Sequence, residues 1–388
     1  MLTGKQLFYI THINNLPSIL QQGILSHNII EQQKINFTKI YDEEIVSKRK
    51  DRRITNNKSL WEYANLYFQS RNPMLYRVVH EQSAEKIAVL AVDWHVVKLP
   101  GVFITNGNAA NFETDIITSG QDYWKIFTQL KNILNSEFWN AEDGSKRKVM
   151  AECLIPDKIS PNYIKEIYVV NDKVAGEIKQ KIPNDISVIP EPNMFFSNPY
   201  IVQLSNNLSI FRGDMFFSKM HTLTVSVNIV GIMGKGLASR AKYQFPDVYV
   251  YYQDLCRNKR LLMGKPFLYK RETSLDYLLA DEPTTLKNIN GVTWFLLFPT
   301  KKHWRENADF AAIEQGMQWL KAKYKEEKIE SLAIPALGCG LGKLDWKDVG
   351  PMLCKYLKTF DIPIQLYIPS ERKIPEEYLK KEYLLSSV

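Results

Sequence analysis

Two glycine-rich loops in the second half of the chain sharply limit its folding options. VNIVGIMGKGLA (227–238) carries Gly231, Gly234 and Gly236, and ALGCGLGKLDW (336–346) carries Gly338, Gly340 and Gly342. Each loop follows an apolar, β-branched run, TLTVSVN (222–228) or SLAIPALG (331–338), and precedes a stretch with helical apolar spacing, GKGLASRAKYQF or DWKDVGPMLCKYLKTF. Strand, glycine turn and helix in that order are the units of a layered α/β domain, whose ligands bind at the C-terminal ends of the strands. Glycines at such turns let backbone N–H groups approach a phosphate, and the helix N-terminus adds a favourable dipole. Neither loop reads GxxxxGK[ST], and neither is a complete GxGxxG. Two of them facing each other predict a diphosphate site held from both sides.

The rest of the second half agrees with a three-layer α/β domain over 200–388. VTWFLLFP (292–299) reads as a buried strand, ADFAAIEQGMQWLKAKYKEE (308–327) as a long amphipathic helix and IPIQLYIPS (362–370) as a closing strand. The first half, 1–190, reads as α+β. LFYITH (7–12), KIAVLAVDW (86–94), GVFITNG (101–107), MAECLIPD (150–157) and IKEIYVV (164–170) have strand character, NLPSILQQG (15–23) is a helix with a glycine stop, and 119–139 predicts one or two amphipathic helices. Between the halves, Pro190, Pro192 and Pro199 in NDISVIPEPNMFFSNPYI (184–201) predict an extended linker.

Composition narrows the function classes. The four cysteines, at 153, 256, 339 and 354, form no CxxC pair. No zinc site, other metal site or disulfide framework is expected, and reduced thiols fit a cytoplasmic protein. No signal peptide and no 18-residue apolar run is present, so no membrane association is expected. The net charge of +8 comes mostly from residues 201–388, yet the first half holds two tight basic clusters: Lys48, Arg49, Lys50, Arg52 and Arg53, then Lys146, Arg147 and Lys148. Such clusters either hold phosphates or form a solvated face. Glu152, alone in the apolar run AECLIP, also needs a reason, because an unpaired buried carboxylate is costly. It is either an edge-strand residue facing water or a catalytic carboxylate placed to stabilise a sugar carbon as it turns cationic.

The second half resembles the macrodomain family, and within it the DarG branch. RGDM (212–215), VNIVGIMGKGLA, FPTKKHWR (298–305) and PALGCGLGKLDW carry the resemblance, in family order over about 210–360. It implies a pocket for ADP-ribose. Asp214, with Met215 beside it, would accept from the adenine amino group. Gly234, Gly236, Gly338, Cys339, Gly340, Leu341 and Gly342 would wrap the diphosphate and distal ribose, with Asn228 beside that ribose. Lys301 of the FPTK motif would cut the glycosidic bond; its amine form is favoured by the neighbouring cations Lys302 and Arg305. Where many macrodomains have a further Asn, this chain has Val225.

The first half resembles the DarT family. FYITHINNLPSIL, KDRRI, LYFQSRNPMLY, GVFITNGNAANF and AECLIP match in order over about 7–175. The resemblance implies an ADP-ribosyltransferase-like fold, NAD as donor and a base of single-stranded DNA as acceptor. Glu152 maps to the catalytic glutamate and Arg53 to the catalytic arginine. Tyr9 (at a position usually His), Thr11, His12, Asn15 and Arg71 would bind NAD. Lys48, Arg49, Arg52, Arg71, Lys146 and Arg147 would hold DNA phosphates, with aromatic side chains stacking bases. Asn108 stands where a His is common, which leaves thymine or guanine as the base; a macrodomain partner favours thymine. Together the halves imply a toxin–antitoxin fusion, of a kind suited to phage defence. One part marks DNA, and the other, held against it within the chain, removes ADP-ribose from the marked DNA. Other readings of the same residues are an ADP-ribose-binding module on a scaffold, an NAD glycohydrolase that transfers to water or protein, and a transferase acting on RNA.

Overall fold

The computed structural model describes residues 6–386 apart from 42, 56–57, 119–127, 129–130, 132–135, 137, 184, 199, 287–290 and 370–373. The expected helices over 119–139 therefore lie largely outside the described residues. The chain divides into two compact units, one made of 1–197 with 276–289, the other of 198–275 with 290–388.

The first unit is an α+β fold around an eight-stranded sheet. Its strands are β1 (Gln6–His12), β2 (Tyr63–Tyr67), β3 (Ile87–Asp93), β4 (Phe103–Thr105), β5 (Ile116–Thr118), β6 (Glu152–Pro156), β7 (Ile164–Val169) and β8 (Ser187–Pro190), and they lie in the order β8-β7-β3-β1-β2-β6-β4-β5. All pairings are antiparallel except β7 with β8. β3 is apolar along its length, and six of its seven residues are buried. Helix α1 (Leu16–Gln22) starts with a proline in its first turn. α2 (Glu43–Asp51) carries the basic run, and α3 (Pro73–Gln82) begins at Pro73 within LYFQSRNPMLY. There the Asn72 side chain accepts from Leu75 N at 2.9 Å, an N-cap followed by a proline. α4 (Asp172–Lys179) follows β7.

Two features of this unit were not expected. The proline-rich seam is not all linker: β8 forms the sheet edge beside β7 and ends at Pro190, after which Glu191 N still donates to Val169 O at 2.8 Å. In addition, the chain returns to the first unit after residue 275. Leu279 and Ala280 are fully buried there. Asp276 accepts from the Tyr76 hydroxyl at 3.2 Å, and Asp281 takes Arg77 Nε at 2.9 Å. The carbonyl of Leu279 accepts from Trp139 Nε1 at 3.1 Å. Arg77 is only 1% exposed, so Asp281 and Glu81 together neutralise a buried guanidinium.

The second unit is a seven-stranded sheet with helices on both faces. Its strands are β9 (Tyr200–Gln203), β10 (Leu208–Phe211), β11 (Thr222–Asn228), β12 (Phe267–Tyr269), β13 (Trp294–Lys301), β14 (Leu332–Pro335) and β15 (Ile364–Tyr367), ordered β9-β10-β15-β14-β11-β13-β12. The five central strands are parallel, and β9 and β12 are antiparallel edges. Alternation along β13 separates the layers. Leu296 and Phe298 join the core beneath α7 (Phe310–Lys323) and α8 (Trp346–Leu357). Phe295 faces the other side, where its ring centroid lies 4.7 Å from that of Phe245, between α5 (Gly236–Gln244) and α6 (Pro246–Arg257). Gly316 lets α7 lie directly on Phe298, whose ring occupies the space a side chain would need.

Candidate functional sites

In the first unit, β1 pairs with β3 over seven register positions, but with β2 at one only, Phe8 opposite Tyr67. The sheet opens on either side of that pair. A cleft is lined by Tyr9, Ile10 and Thr11 from β1 and by Tyr63, Ala64, Asn65 and Tyr67 from β2. Asn15, also in the lining, closes it on one side. Its amide donates to Thr38 O at 2.9 Å and to Thr11 Oγ1 at 3.2 Å, and its oxygen accepts from Thr38 N at 2.8 Å. This clamp ties the segment carrying Phe37, Thr38, Ile40 and Tyr41, further lining residues, to the end of β1. Burial pushes the Tyr9 hydroxyl up to about 12, so it stays a neutral donor. His12 is buried at the strand end. Its Nδ1 accepts from Asn14 N at 3.1 Å, and burial followed by Lys86 holds it below the usual imidazole range.

Glu152 is fully buried at the start of β6, opposite Tyr67 of the cleft wall. Arg49 holds it with two nitrogens, at 2.9 and 3.3 Å, and Ala109 N donates to Oε1 at 2.8 Å. Burial pulls the Arg49 guanidinium down, but its pairing with Glu152 more than offsets this and leaves it above its ordinary range. Arg53 is the residue that the resemblance maps to the catalytic arginine. Arg53 instead lies exposed in a two-strand ribbon opposite Ser59, four residues beyond the guanidinium that reaches the carboxylate. The sequence carried a signal for this. In a helix ending at Asp51, Arg49 points back over the turn before it, whereas Arg53 lies past the helix end.

The ITNGNAANF loop (104–112) carries Ala109, and two of the basic residues expected on DNA, Arg52 and Arg147, hold it in place. Arg52 donates to Asn111 O and, at 2.9 Å, to Thr114 O. Arg147 reaches Thr114 Oγ1 at 3.1 Å, and its carbonyl accepts from Asn108 N. Lys146 Nζ donates to Tyr277 O at 3.0 Å. Lys48 is exposed on α2. Arg71 lies over the Phe196 ring at 5.0 Å, apart from the cleft lining. Sequence reasoning missed Phe112, which is 95% exposed at the end of this loop with Arg52 5.7 Å from its ring. It also missed His27, which is stacked on Trp61 in the cleft and lowered to about 4 by burial, then Arg49.

In the second unit, both glycine loops lie at the C-terminal ends of the parallel strands. Asn228 closes β11 with all its polar atoms engaged: Nδ2 donates to Ile232 O at 2.6 Å, and Oδ1 accepts from Val230 N and from the hydroxyl of Tyr252 at 2.9 Å. It therefore shapes the first loop from within. Gly234 and Gly236 follow, the latter at φ +61° beneath Leu341. In the second loop, Gly338 (φ +77°) and Gly342 pack against each other, and a Cβ on Gly342 would sit 2.5 Å from Gly338 O. Cys339 is buried, with Gly340 and the 59%-exposed Leu341 after it. Lys301, at the end of β13, reaches Leu341 O at 3.4 Å, between the loops. Burial, then Lys343, lowers its ammonium below the usual lysine range. Asp214 accepts from Phe216 N at 3.0 Å and pairs with Arg240, which leaves lone pairs on both oxygens; Met215 is buried behind it. Tyr252, fully buried on α6, is the residue sequence reading overlooked here.

Known proteins resemble this chain in sequence and fold. Residues 8–196 match the family of DarT, the ssDNA thymidine ADP-ribosyltransferase, and 284–353 match the Macro domain. A DNA ADP-ribosyl transferase–DNA ADP-ribosyl glycohydrolase fusion protein of Thermosipho africanus is 53% identical over 388 residues, 99% of each chain. The solved structure of Thermosipho africanus DarTG in complex with ADP-ribose superposes with a TM-score of 0.91 at 52% identity, covering 98% of this chain and all of that one. A DNA ADP-ribosyl glycohydrolase of Thermus aquaticus is 33% identical over 165 residues, 42% of either chain. With identity of that level running from end to end, the chain belongs to the family of DarT–DarG fusion proteins.

Proposed function

We propose that the first unit transfers ADP-ribose from NAD to a thymidine of single-stranded DNA, and that the second unit hydrolyses that bond again. The observation that carries the first half is Glu152: a fully buried carboxylate, held by two nitrogens of Arg49 and one backbone N–H, beside an open cleft between β1 and β2. Loss of nicotinamide leaves a cationic ribose carbon, and a fixed carboxylate stabilises it without reorganising. The cleft suits the dinucleotide, with Tyr9 and Thr11 as hydroxyl donors and Asn15 holding the flap over them. The ADP-ribosyl–thymidine bond forms as the nicotinamide–ribose bond breaks; nicotinamide leaves as a neutral base with the electron pair of that bond, and the acceptor's proton passes to solvent.

In the second unit the two loops offer backbone donors to a diphosphate, and Lys301 stands between them. Its lowered pKa raises the amine fraction available to attack the anomeric carbon of DNA-linked ADP-ribose. Water then completes the release of free ADP-ribose and unmodified base. One chain thus carries a toxic activity and its reversal at fixed stoichiometry. Four free cysteines, three of them buried, support a reducing, cytoplasmic setting.

The test is mass spectrometry of oligonucleotides after incubation of the Lys301→Ala protein with NAD. A mass gain confined to thymine-containing single strands is expected. Modification of thymine-free DNA, of RNA or of protein alone would replace this reading with one of the others. Wild-type protein, added afterwards without NAD, should remove the mark.

A further inference from the structure

Directly after Lys301 comes a turn that the reading above leaves unused. A single exposed aromatic residue on a surface needs no explanation. Trp304 differs because its turn is fastened to both glycine loops. Lys302 O accepts from Ile229 N of the first loop at 3.4 Å, and Ala308 N donates to Gly342 O of the second at 2.9 Å. Asp309 N donates to Thr300 O at 2.8 Å and closes the base of the turn. Within it, Arg305 N donates to His303 Nδ1 at 3.3 Å. The Trp304 ring is 45% exposed, with the Arg305 guanidinium 4.5 Å from its centroid and the His303 ring 5.3 Å away. Lys302 and Arg305, its neighbours in the turn, are exposed, as is Lys343 of the second loop.

ADP-ribose alone is matched by the glycine loops. A substrate still joined to DNA must also continue outward past Lys301, and this turn is bound to the rim on both sides. A flat indole accepts the π-face of any base, and the surrounding cations suit phosphodiesters. From this geometry we infer that Trp304 is a stacking platform for a base next to the ADP-ribosylated nucleotide, with Lys302 and Arg305 on the adjoining phosphates. The second unit would then recognise single-stranded DNA as well as ADP-ribose. This inference rests on the hydrolase reading.

The test uses the full chain without NAD and two substrates, an ADP-ribosylated single-stranded oligonucleotide and ADP-ribosylated thymidine nucleoside. Trp304→Ala should raise KM for the oligonucleotide roughly tenfold or more. Turnover of the nucleoside and affinity for free ADP-ribose should stay at wild-type values, and Trp304→Phe should retain most of the oligonucleotide activity. An unchanged oligonucleotide KM, or an equal loss on both substrates, would overturn the inference. Wild-type protein that releases ADP-ribose from neither substrate would instead sink the hydrolase reading on which it stands.

Discussion

Replacing Arg49 with alanine isolates the electrostatics at Glu152. The carboxylate has no solvent exposure, and two of its three contacts come from this guanidinium. Truncation leaves one backbone N–H on a buried negative charge. Breaking one side of such a pair costs about 3–5 kcal/mol. For a unit of this size that corresponds to a melting point lower by roughly 6–20 °C. Transfer to single-stranded DNA should be lost as well, since the carboxylate would no longer be fixed against the cleft. Arg53→Ala, on an exposed ribbon, should move the melting point by no more than about 1 kcal/mol's worth. The double variant Arg49→Met with Glu152→Gln should recover most of the stability and none of the transfer, because it removes the buried charge rather than stranding it. Differential scanning calorimetry beside an oligonucleotide labelling assay reads both quantities. Should Arg49→Ala melt and label like wild type while Arg53→Ala fails, the reasoning is wrong.

Four further outcomes are expected. Asn15→Ala removes three hydrogen bonds that tie Thr38 to β1, and should raise KM for NAD about tenfold with little change in kcat, measured by nicotinamide release. Tyr252→Phe leaves Asn228 Oδ1 short of one donor, and should weaken ADP-ribose binding by about 1 kcal/mol in calorimetric titration. Gly342→Ala forces a methyl group onto Gly338 O and should abolish that binding, with the unfolding midpoint of the first unit unchanged. The hydrolase rate should rise with pH as Lys301 loses its proton, with a midpoint below that of free lysine. Lys343→Met removes a cation that lowers the Lys301 pKa, so the midpoint should move to higher pH.

Most of the central parallel strands of the second unit were legible in the sequence, because each has the period of its structure and each glycine loop sits between a strand and a helix, whereas the short edge strands β9 and β12 were not. The first unit was legible in five of its eight strands, but not in β2 of the cleft wall, and less so in its site. AECLIP announced a buried carboxylate, yet the choice among five neighbouring cations depended on where α2 ends, a boundary that periodicity marks poorly in so polar a helix. Arg52 and Arg147 illustrate a related limit. Composition does not show that a basic residue near an asparagine-rich turn holds the turn's own oxygens, as Arg52 holds two carbonyls and Arg147 a threonine hydroxyl. Asn72 and Pro73 looked like a functional signature and turn out to begin a helix. Nothing in the periodicity of 276–286 indicated which core would bury it, because apolar residues carry no address.

The return of residues 276–289 to the first unit means that the toxic half cannot be inherited as a simple N-terminal piece. A stop codon or proteolytic loss anywhere after the seam, but before Asp276, would strip away one of the two carboxylates that neutralise Arg77 and the carbonyl that Trp139 uses. Damage that deletes the protective half therefore also removes buried partners from the core of the transferase.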